Sequence, residues 1–278
     1  MYYLQLDSSF RPFAQADEKN TLSFEAFTFS GGEPHIKILT SLSKDASVMI
    51  SHRLQSFNDL GLLLVAVDAL RRMGARQIRL FLPYFPGARQ DRVMVPGEPL
   101  TVKVYANLIN GLGLEQVIIL DPHSDVTSAL LERVHVIANL EFAQAVLKEI
   151  PNTTLIAPDA GAVKKVHFLA NKLESPVITC SKIRDVSTGH LSSFQVHIDD
   201  LHGQDCLIID DICDGGRTFL GLAKALKAKN AGKLYLAVTH GIFSKGTDAL
   251  QAHFEAIFTT NSFRRKSDDS LTIKKIQL

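Results

Sequence analysis

The feature that most constrains the fold is the alternation of short apolar runs with longer segments of helical period. Gln77–Leu82 and Asp205–Ile209 are runs of the first kind, and Leu100–Leu112 carries apolar residues every three to four positions. Near-continuous apolar runs between helices are typical of parallel strands that are covered on both faces. The sequence therefore predicts an α/β protein in which mainly parallel sheets are flanked by helices.

The same pattern predicts the individual elements and a division into two lobes. Strands are predicted at Gln77–Leu82, Gln116–Leu120, Thr154–Ala157, Pro176–Cys180, Asp205–Ile209 and Lys233–Val238. Helices are predicted at Leu60–Met73, Leu100–Leu112, Leu140–Ile150, Val163–Leu173 and Arg217–Lys229. The pattern restarts near Leu140, and 278 residues suit two domains better than one very wide sheet. We expect domains at 1–136 and 137–278, joined near Val134–Asn139.

Composition limits the classes of function. Thirty basic and twenty-nine acidic residues give a net charge of +1, so overall charge does not favour nucleic acid as a partner. The three cysteines show no CxxC spacing, which indicates neither a disulfide framework nor a structural zinc site and favours a reducing compartment. The amino-terminal MYYLQLDSSFRPF lacks the pattern of a signal peptide, and no apolar run reaches the roughly 18 residues of a membrane span. We expect a cytoplasmic protein.

The stretch CLIIDDICDGGRTFLGL, Cys206–Leu222, is the strongest indication of a binding site. A buried-strand signal is followed by an acidic, glycine-rich turn, Asp214–Thr218, and then by a helical pattern. Backbone N–H groups at such a turn, together with the positive end of the helix, favour a bound phosphate, and Gly215 and Gly216 allow its close approach. Asp210 and Asp211 could accept hydrogen bonds from sugar hydroxyls or bind a divalent cation. The alternative is an ordinary acidic loop with a helix cap.

Other charged residues follow predicted strands, where ligands bind in open α/β folds. Arg89 to Arg92 suit a phosphate chain or, alternatively, form a surface salt-bridge cluster. His123 and Asp159 each follow a strand, although a lone histidine is more often structural than a ligand of Mg²⁺. Lys182 and Arg184 are two positions apart in SKIRDVSTGHLSSF, which predicts a mobile loop in which they could be merely solvated.

Several motifs, in order, resemble a known family. The Asp210–Thr218 stretch resembles the phosphoribosyl pyrophosphate loop of type I phosphoribosyltransferases. Six further segments resemble the ribose-phosphate pyrophosphokinase family: FSGGE (Phe29–Glu33), FNDLGLLLVAVDALRR (Phe57–Arg72), PYFPGARQDR (Pro83–Arg92), LDPHSD (Leu120–Asp125), APDAG (Ala157–Gly161) and THGIFS (Thr239–Ser244). The resemblance runs from about Phe29 to Ser262, and it implies two lobes of the type I phosphoribosyltransferase kind.

The resemblance also implies an activity and a set of roles. Members transfer the diphosphoryl group of ATP to the 1-hydroxyl of ribose 5-phosphate, giving phosphoribosyl pyrophosphate and AMP. The implied roles are catalysis by Lys182 and Arg184; ATP binding by Phe29, Glu33, Arg89 and Gln90; ribose 5-phosphate binding by Asp210, Asp211, Asp214, Gly215, Gly216, Arg217 and Thr218; and Mg²⁺ binding by His123 and Asp159. It further implies a homo-oligomer, dimer or hexamer, with the nucleotide site at a subunit interface.

The chain departs from the family pattern at several positions. Gly31 stands where an aspartate is usual, so one adenine contact of the family is missing and strict preference for ATP is not implied. Ile183 stands where another arginine is common, and DGGRT stands where DTAGT is usual. Two other functions stay open at this point: a non-catalytic nucleotide-binding homologue that regulates a true synthetase, and a phosphoribosyltransferase that consumes the product.

Overall fold

The computed structural model describes residues 1–184, 191–263 and 271–277, without the side chains of residues 183, 184, 191–193 and 273. The chain forms two compact units, Met1–Ala138 and Asn139–Asn261, each completed by short pieces from the carboxyl end. The division falls at Ala138, where the sequence predicted residue 136, and residues 275–277 belong to the first unit although they were expected in the second. In the described part of the chain, no helix combines the length and the apolar character needed to cross a membrane.

The first unit is built on a five-stranded parallel sheet with the order β1-β4-β5-β6-β7. Its elements are β1 (Tyr2–Gln5), β2 (Phe24–Thr28), β3 (Pro34–Ile38), β4 (Ser47–Ser51), α1 (Phe57–Arg72), β5 (Gln77–Leu82), α2 (Thr101–Asn110), β6 (Gln116–Leu120), α3 (Asp125–Leu130) and β7 (Val134–Ile137). Strands β2 and β3 form a separate antiparallel hairpin that contacts α1. Leu80 and Leu82 pack into the core beneath α1 and α2, whereas Phe81 points to the opposite face and packs on Phe10 and Phe13.

The second unit is built on a seven-stranded sheet with the order β10-β9-β8-β11-β12-β13-β14, parallel except for β10. Its elements are α4 (Leu140–Glu149), β8 (Thr154–Ala157), α5 (Val163–Leu173), β9 (Val177–Arg184), β10 (Leu191–Val196), β11 (Cys206–Cys213), α6 (Arg217–Ala228), β12 (Leu234–Gly241), α7 (Asp248–Gln251), β13 (Ala256–Thr260) and β14 (Leu271–Lys274). Alternate residues of β11 face different cores: Ile208 packs with α6 and Leu207 with α5.

The predicted elements are found close to their predicted bounds, and the difference at α1 has a clear local cause. This helix begins at Phe57 and not at Leu60, because Ser56 Oγ accepts the backbone N–H of Asp59 at 3.1 Å and donates to the Asp59 carboxylate at 2.8 Å. The first of these bonds satisfies one of the free N–H groups of the helix start, and the second holds the Ser56 hydroxyl in place. The capping pair therefore fixes the first turn ahead of the apolar pattern.

The prediction of a loop over residues 181–194 was wrong at both ends. Strand β9 continues to Arg184, and β10 pairs with it antiparallel, with Cys180 opposite Val196 and Lys182 opposite Phe194. Polar residues are tolerated there because β10 lies at the edge of the sheet, where side chains stay partly in water. Residues 185–190, the middle of the predicted loop, lie outside the described part of the chain.

Strand β11 also runs further than predicted, to Cys213 and not Ile209. Its pairing with β12 continues through Asp210 opposite Val238 and Cys213 opposite Gly241, although its pairing with β8 stops at Ile208. Aspartate is depleted in strands, so sequence propensity ended the element too early, and pairing with β12 decided its length. Asp210 and Asp211 therefore lie within the strand, beyond the end of its other neighbour.

Strands at the two ends of the first unit were missed. The sequence placed no element before Leu60, yet β1 to β4 lie there, and β7 occupies much of the expected connection between domains. Four of the five residues of β2 are exposed, so its residues show no alternation of buried and exposed positions. Without that alternation, a hairpin strand has little signal in the sequence.

Candidate active site

In the second unit, a cation and a carboxylate from neighbouring strands meet at the carboxyl end of the sheet. Lys182 lies on β9, Asp159 follows β8, and Lys182 Nζ donates to Asp159 Oδ2 at 2.5 Å. The other carboxylate oxygen of Asp159 accepts the backbone N–H groups of Gly161 at 3.0 Å and Ala162 at 3.1 Å. Those bonds hold the carboxylate at the start of α5, so Asp159 is a fixed anchor for the lysine.

Two more carboxylates stand on β11, the strand on the other side of β8. Asp211 is buried, whereas Asp210 as a whole residue keeps some exposed surface. Burial of its carboxyl group, then the charge and side-chain hydrogen bond of Asp211, and finally the charge of Asp159, raise the pKa of Asp210 well above its usual range. The backbone N–H of Asp211 donates to Asp210 Oδ1 at 2.9 Å and acts in the opposite direction. The site thus concentrates negative charge that a cation or hydroxyl donors would relieve.

The donor atoms of this site suit Mg²⁺. Asp159, Asp210 and Asp211 offer carboxylate oxygens, the ligands that Mg²⁺ prefers, and Asp211 and Asp159 add to the effect of burial in raising the pKa of Asp210. Across residues 1–184, 191–263 and 271–277, no three side chains of His, Cys, Asp or Glu already converge on a metal position. Any Mg²⁺ would therefore take most of its ligands from water and from the phosphates of a substrate.

The turn between β11 and α6 has the backbone that an anion site requires. Gly216 has φ of 76°, in the left-handed region, and caps α6, which begins at Arg217 and runs for 12 residues. A Cβ atom at Gly216 would lie 3.2 Å from the Leu250 side chain, so the position is closed by packing as well as by its dihedral angle. Arg217 is exposed and Thr218 lies in the first turn of the helix. The predicted phosphate turn thus opens directly into a helix start.

Lys245 lies beside the predicted phosphate turn, and the sequence analysis did not predict it as a candidate residue. Its side chain lies over the turn, with the nearest carbons 3.8 Å from where a Cβ of Gly215 would be. The segment is held in place because the N–H of Ser244 donates to Asp214 O at 3.2 Å. Lys245 follows the THGIFS motif, but nothing in that spacing shows that it returns to a turn about thirty residues earlier in the chain; only the pairing of β11 with β12 does.

In the first unit, two of the predicted ATP residues, Arg89 and Gln90, lie after β5, and the predicted metal ligand His123 lies after the adjacent β6. Arg89, Gln90 and His123 are exposed. Asp91, which the sequence analysis placed in the alternative salt-bridge cluster, has a side chain only 6% exposed and accepts from Arg92 Nε at 3.1 Å. Burial alone would raise the pKa of Asp91, but the Ser124 hydroxyl, Arg92 and the charge of His123 together lower it. The Ser124 hydroxyl helps to lower the pKa of Asp91 although Ser124 Oγ does not meet normal hydrogen-bond geometry.

Phe29 and Glu33 lie in the turn of the β2–β3 hairpin. The N–H of Phe29 donates to Glu33 O at 2.9 Å, and the ring of Phe29, 52% exposed, contacts Phe27 and His35. Gly31 has a structural role there, since a Cβ atom would lie 2.6 Å from a carboxylate oxygen of Glu33. The glycine that replaces the family aspartate therefore leaves room for the Glu33 carboxylate to fold back.

The structure distributes the predicted residues over the two units. Phe29, Glu33, Arg89, Gln90 and His123 belong to the first unit, and the remaining predicted residues belong to the second. Arg184 ends β9, and its side chain lies outside the described residues. The structure thus brings Asp159, Lys182, Asp210 and Asp211 to neighbouring strand ends, while His123, the other predicted metal ligand, is part of a different unit.

Family models match both units. One described as the N-terminal domain of ribose phosphate pyrophosphokinase matches residues 14–113, and one described as the phosphoribosyl transferase domain matches residues 128–263. Together with the two parallel sheets, they define a protein of the phosphoribosyltransferase fold class. The chain is 33% identical over 235 residues to a ribose-phosphate pyrophosphokinase of Mycoplasma genitalium, covering 82% of this chain and 69% of that one. The chain belongs to the ribose-phosphate pyrophosphokinase family.

Two further similarities agree with this assignment. A ribose-phosphate pyrophosphokinase of Bradyrhizobium diazoefficiens is 35% identical over 211 residues, which cover 74% of this chain and 65% of the relative. The chain thus matches about two thirds of the length of such relatives. The crystal structure of phosphoribosylpyrophosphate synthetase from Mycobacterium smegmatis superposes with a TM-score of 0.81 over 99% of this chain and 94% of that one, at 23% identity. At that identity the superposition establishes the shared fold.

Proposed function

We propose that this protein transfers the diphosphoryl group of ATP to the 1-hydroxyl of ribose 5-phosphate. The hydroxyl oxygen attacks the β-phosphorus, the bond from that phosphorus to the α,β-bridging oxygen breaks, AMP leaves, and the hydroxyl proton is released. Membership of the ribose-phosphate pyrophosphokinase family supports the reaction. The observation that carries the assignment to residues is the gathering of Lys182, three carboxylates and a helix-start turn at adjacent strand ends of the second unit.

The sugar phosphate fits the turn Asp214–Thr218. Its 5-phosphate would accept hydrogen bonds from the backbone N–H groups at the start of α6 and from the Thr218 hydroxyl, with Arg217 and Lys245 as nearby cations. The carboxylates of Asp210 and Asp211 would accept from the ribose hydroxyls. These contacts would hold the 1-hydroxyl in one orientation, and positioning of this kind is a large part of catalysis in phosphoryl transfer.

Lys182 and Arg184 would neutralise charge that develops on the transferred group. The ammonium of Lys182 is held by Asp159 and the Lys182 side chain is only 24% exposed, so its charge acts where solvent screening is reduced. Phe29, Glu33, Arg89 and Gln90 would bind ATP: the ring by stacking on adenine, the arginine and the amide by contacts to phosphates. Asp159 in the second unit and His123 in the first are each proposed as Mg²⁺ ligands, and Mg²⁺, when bound, would supply charge neutralisation on the phosphate oxygens.

We also propose that the protein acts as a homo-oligomer in the cytoplasm. Phe27 and Phe29 are 47% and 52% exposed on the β2–β3 hairpin, and exposed aromatic rings of this kind are typical of surfaces that a partner covers. A second copy of the chain would place that hairpin at its nucleotide site. All three cysteines are buried free thiols, which supports a reducing compartment.

A single assay tests the reaction and separates it from the two alternatives. With MgATP and ribose 5-phosphate we expect AMP and phosphoribosyl pyrophosphate in equal amounts by ion-exchange chromatography. Lys182→Ala should lower the rate by 100-fold or more, on the order of the loss seen when a group that stabilises transition-state charge is removed. The matched control Lys172→Ala changes an exposed lysine in the last turn of α5 and should leave the rate unchanged.

Each alternative predicts a different result in that assay. Absence of AMP above the Lys182→Ala level would contradict the proposed reaction and favour a non-catalytic homologue. Consumption of phosphoribosyl pyrophosphate in the presence of a free purine or pyrimidine base would favour a phosphoribosyltransferase.

A further inference from the structure

The β9–β10 hairpin carries Lys182, and β10 contacts helix α6. Strand β10 lies at the edge of the sheet, so its backbone is bonded to β9 alone among the strands of its sheet. Lys182 stands directly opposite Phe194. Opposite residues of an antiparallel pair project from the same face, so the lysine and the ring share one side of the hairpin.

The ring of Phe194 rests on helix α6 at Gly221. A Cβ atom at Gly221 would lie 2.7 Å from Phe194 Cε2 and 3.1 Å from Cδ2, closer than carbon atoms can approach without displacement. Glycine costs an interior helical position roughly 1 kcal/mol relative to alanine, so its presence there is explained by the space it leaves for the ring. Gly221 and Phe194 thus form a complementary pair across the hairpin and the helix.

Helix α6 is the helix whose start forms the proposed phosphate turn, five residues before Gly221 at Gly216. The contact therefore ties the strand pair that carries Lys182 to the element that would hold the sugar phosphate. We propose that Phe194, seated on Gly221, is a positioning residue that sets where the Lys182 ammonium stands relative to the turn. The role in turnover rests on the proposed function, whereas the mechanical role of the contact does not.

Substitution of Gly221 tests the proposal with a built-in rescue. Gly221→Ala should displace the ring and lower kcat roughly tenfold while KM for ribose 5-phosphate changes less than twofold, because Lys182 would act on the transition state and not on substrate binding. Phe194→Leu removes the ring atoms that the new methyl would meet. The double variant Gly221→Ala/Phe194→Leu should therefore recover much of the lost kcat.

Thiol labelling gives a readout that does not depend on activity. Cys180 lies on β9 opposite Val196, and it is only 2% exposed. Burial, with a smaller effect of Cys206, raises the pKa of its thiol to about 12. Iodoacetamide labelling of Cys180, followed by peptide mapping, should rise several-fold in Gly221→Ala and return towards wild type in the double variant. Cys206 and Cys213 on the central β11 serve as internal references and should stay protected.

The matched control is Gly61→Ala, the same change in helix α1 of the first unit. A Cβ there would also lie 2.7 Å from its neighbour, Pro34 Cγ, yet Cys180 labelling should not change. Any one of four results would overturn the proposal. Two concern labelling of Gly221→Ala: no change at Cys180, or a parallel rise at all three cysteines. The other two are a raised KM with unchanged kcat and failure of the double variant to recover. If the wild type forms no AMP, the proposed function fails, but the labelling result still decides the mechanical role.

Discussion

The carboxyl group of Asp210 has a pKa that reflects the burial and the negative charges of the site. Its folded-state pKa is raised by burial and by Asp211 and Asp159, so the folded protein holds this proton more tightly than the unfolded chain does. The stabilisation from the protonated form is complete below the unfolded pKa of roughly 4 and is lost as pH rises through the folded pKa. Above the folded pKa, the ionised group therefore opposes folding until a cation or hydroxyl donors reach it.

The pH dependence of unfolding tests this account. Without divalent cations, Asp210→Asn should be more stable to urea than wild type at pH 8, and the difference should shrink as pH falls towards 4. Asp199→Asn, on an exposed position after β10, is the control and should show no such trend. A gap between Asp210→Asn and wild type that is constant over this pH range would contradict the raised pKa.

Substitution of Lys245 tests whether this lysine belongs to the proposed phosphate site. Removal of a charged hydrogen-bond donor costs about 1.5–3 kcal/mol, so Lys245→Ala should raise KM for ribose 5-phosphate roughly tenfold or more, with a smaller effect on kcat. Lys233→Ala is the control, because Lys233 pairs with Glu255 at the other end of β12, at 3.2 Å. Equal KM values for the two variants would remove Lys245 from the phosphate site.

At the scale of elements, the start of α6 matters because one glycine joins a strand to a helix there. Gly216 meets two requirements at once, a positive φ and contact with Leu250, whereas Gly246 has φ of 71° and no atom within 4 Å of where its Cβ would be. A comparison of the two glycines therefore separates the energetic cost of backbone strain from the cost of side-chain crowding. The geometry of the phosphate turn depends on both.

Paired alanine substitutions measure the two contributions. Gly246→Ala should cost about 1–2 kcal/mol of unfolding free energy, the usual penalty of the left-handed region. Gly216→Ala should cost more, because the methyl also crowds Leu250, and should raise KM for ribose 5-phosphate by moving the helix start. Guanidinium unfolding and steady-state kinetics give the two numbers. Equal losses of stability would show that the Leu250 contact contributes nothing.

At the scale of the whole molecule, the proposed homo-oligomer would have the exposed β2–β3 hairpin of one chain complete the nucleotide site of another. If a neighbouring subunit supplies Phe29, then Lys182→Ala and Phe29→Ala disable different halves of a shared site. Each variant alone should have low activity, and a mixture should regain roughly a quarter of wild-type activity through mixed oligomers, as isologous pairing predicts. Activity of the mixture equal to the mean of the separate variants, under conditions that exchange subunits, would contradict a shared site.

The sequence predicted the parts of the fold that are buried on both sides. Four elements have their predicted bounds: strands β5, β6 and β8 and helix α5. Burial in the core requires a continuous apolar run in each of these strands and an apolar face with helical period in the helix, and both patterns are visible in the sequence. The polar hairpin β9–β10 and the exposed β2 gave no such signal. Their strand character depends on pairing partners far along the chain, which a local pattern does not contain.

By itself, the sequence determined the α/β class, the glycine-rich turn before α6 and the family to which the chain belongs, because those features depend on local periodicity and on motifs of contiguous residues. Only the tertiary structure decided that Lys182 pairs with Asp159, that Asp210 lies in a strand with a raised pKa, and that Lys245 and Phe194 reach the site and its supporting helix. The physical reason is that parallel pairing brings strand ends together from distant parts of the chain, so their mutual charge and packing exist only after folding.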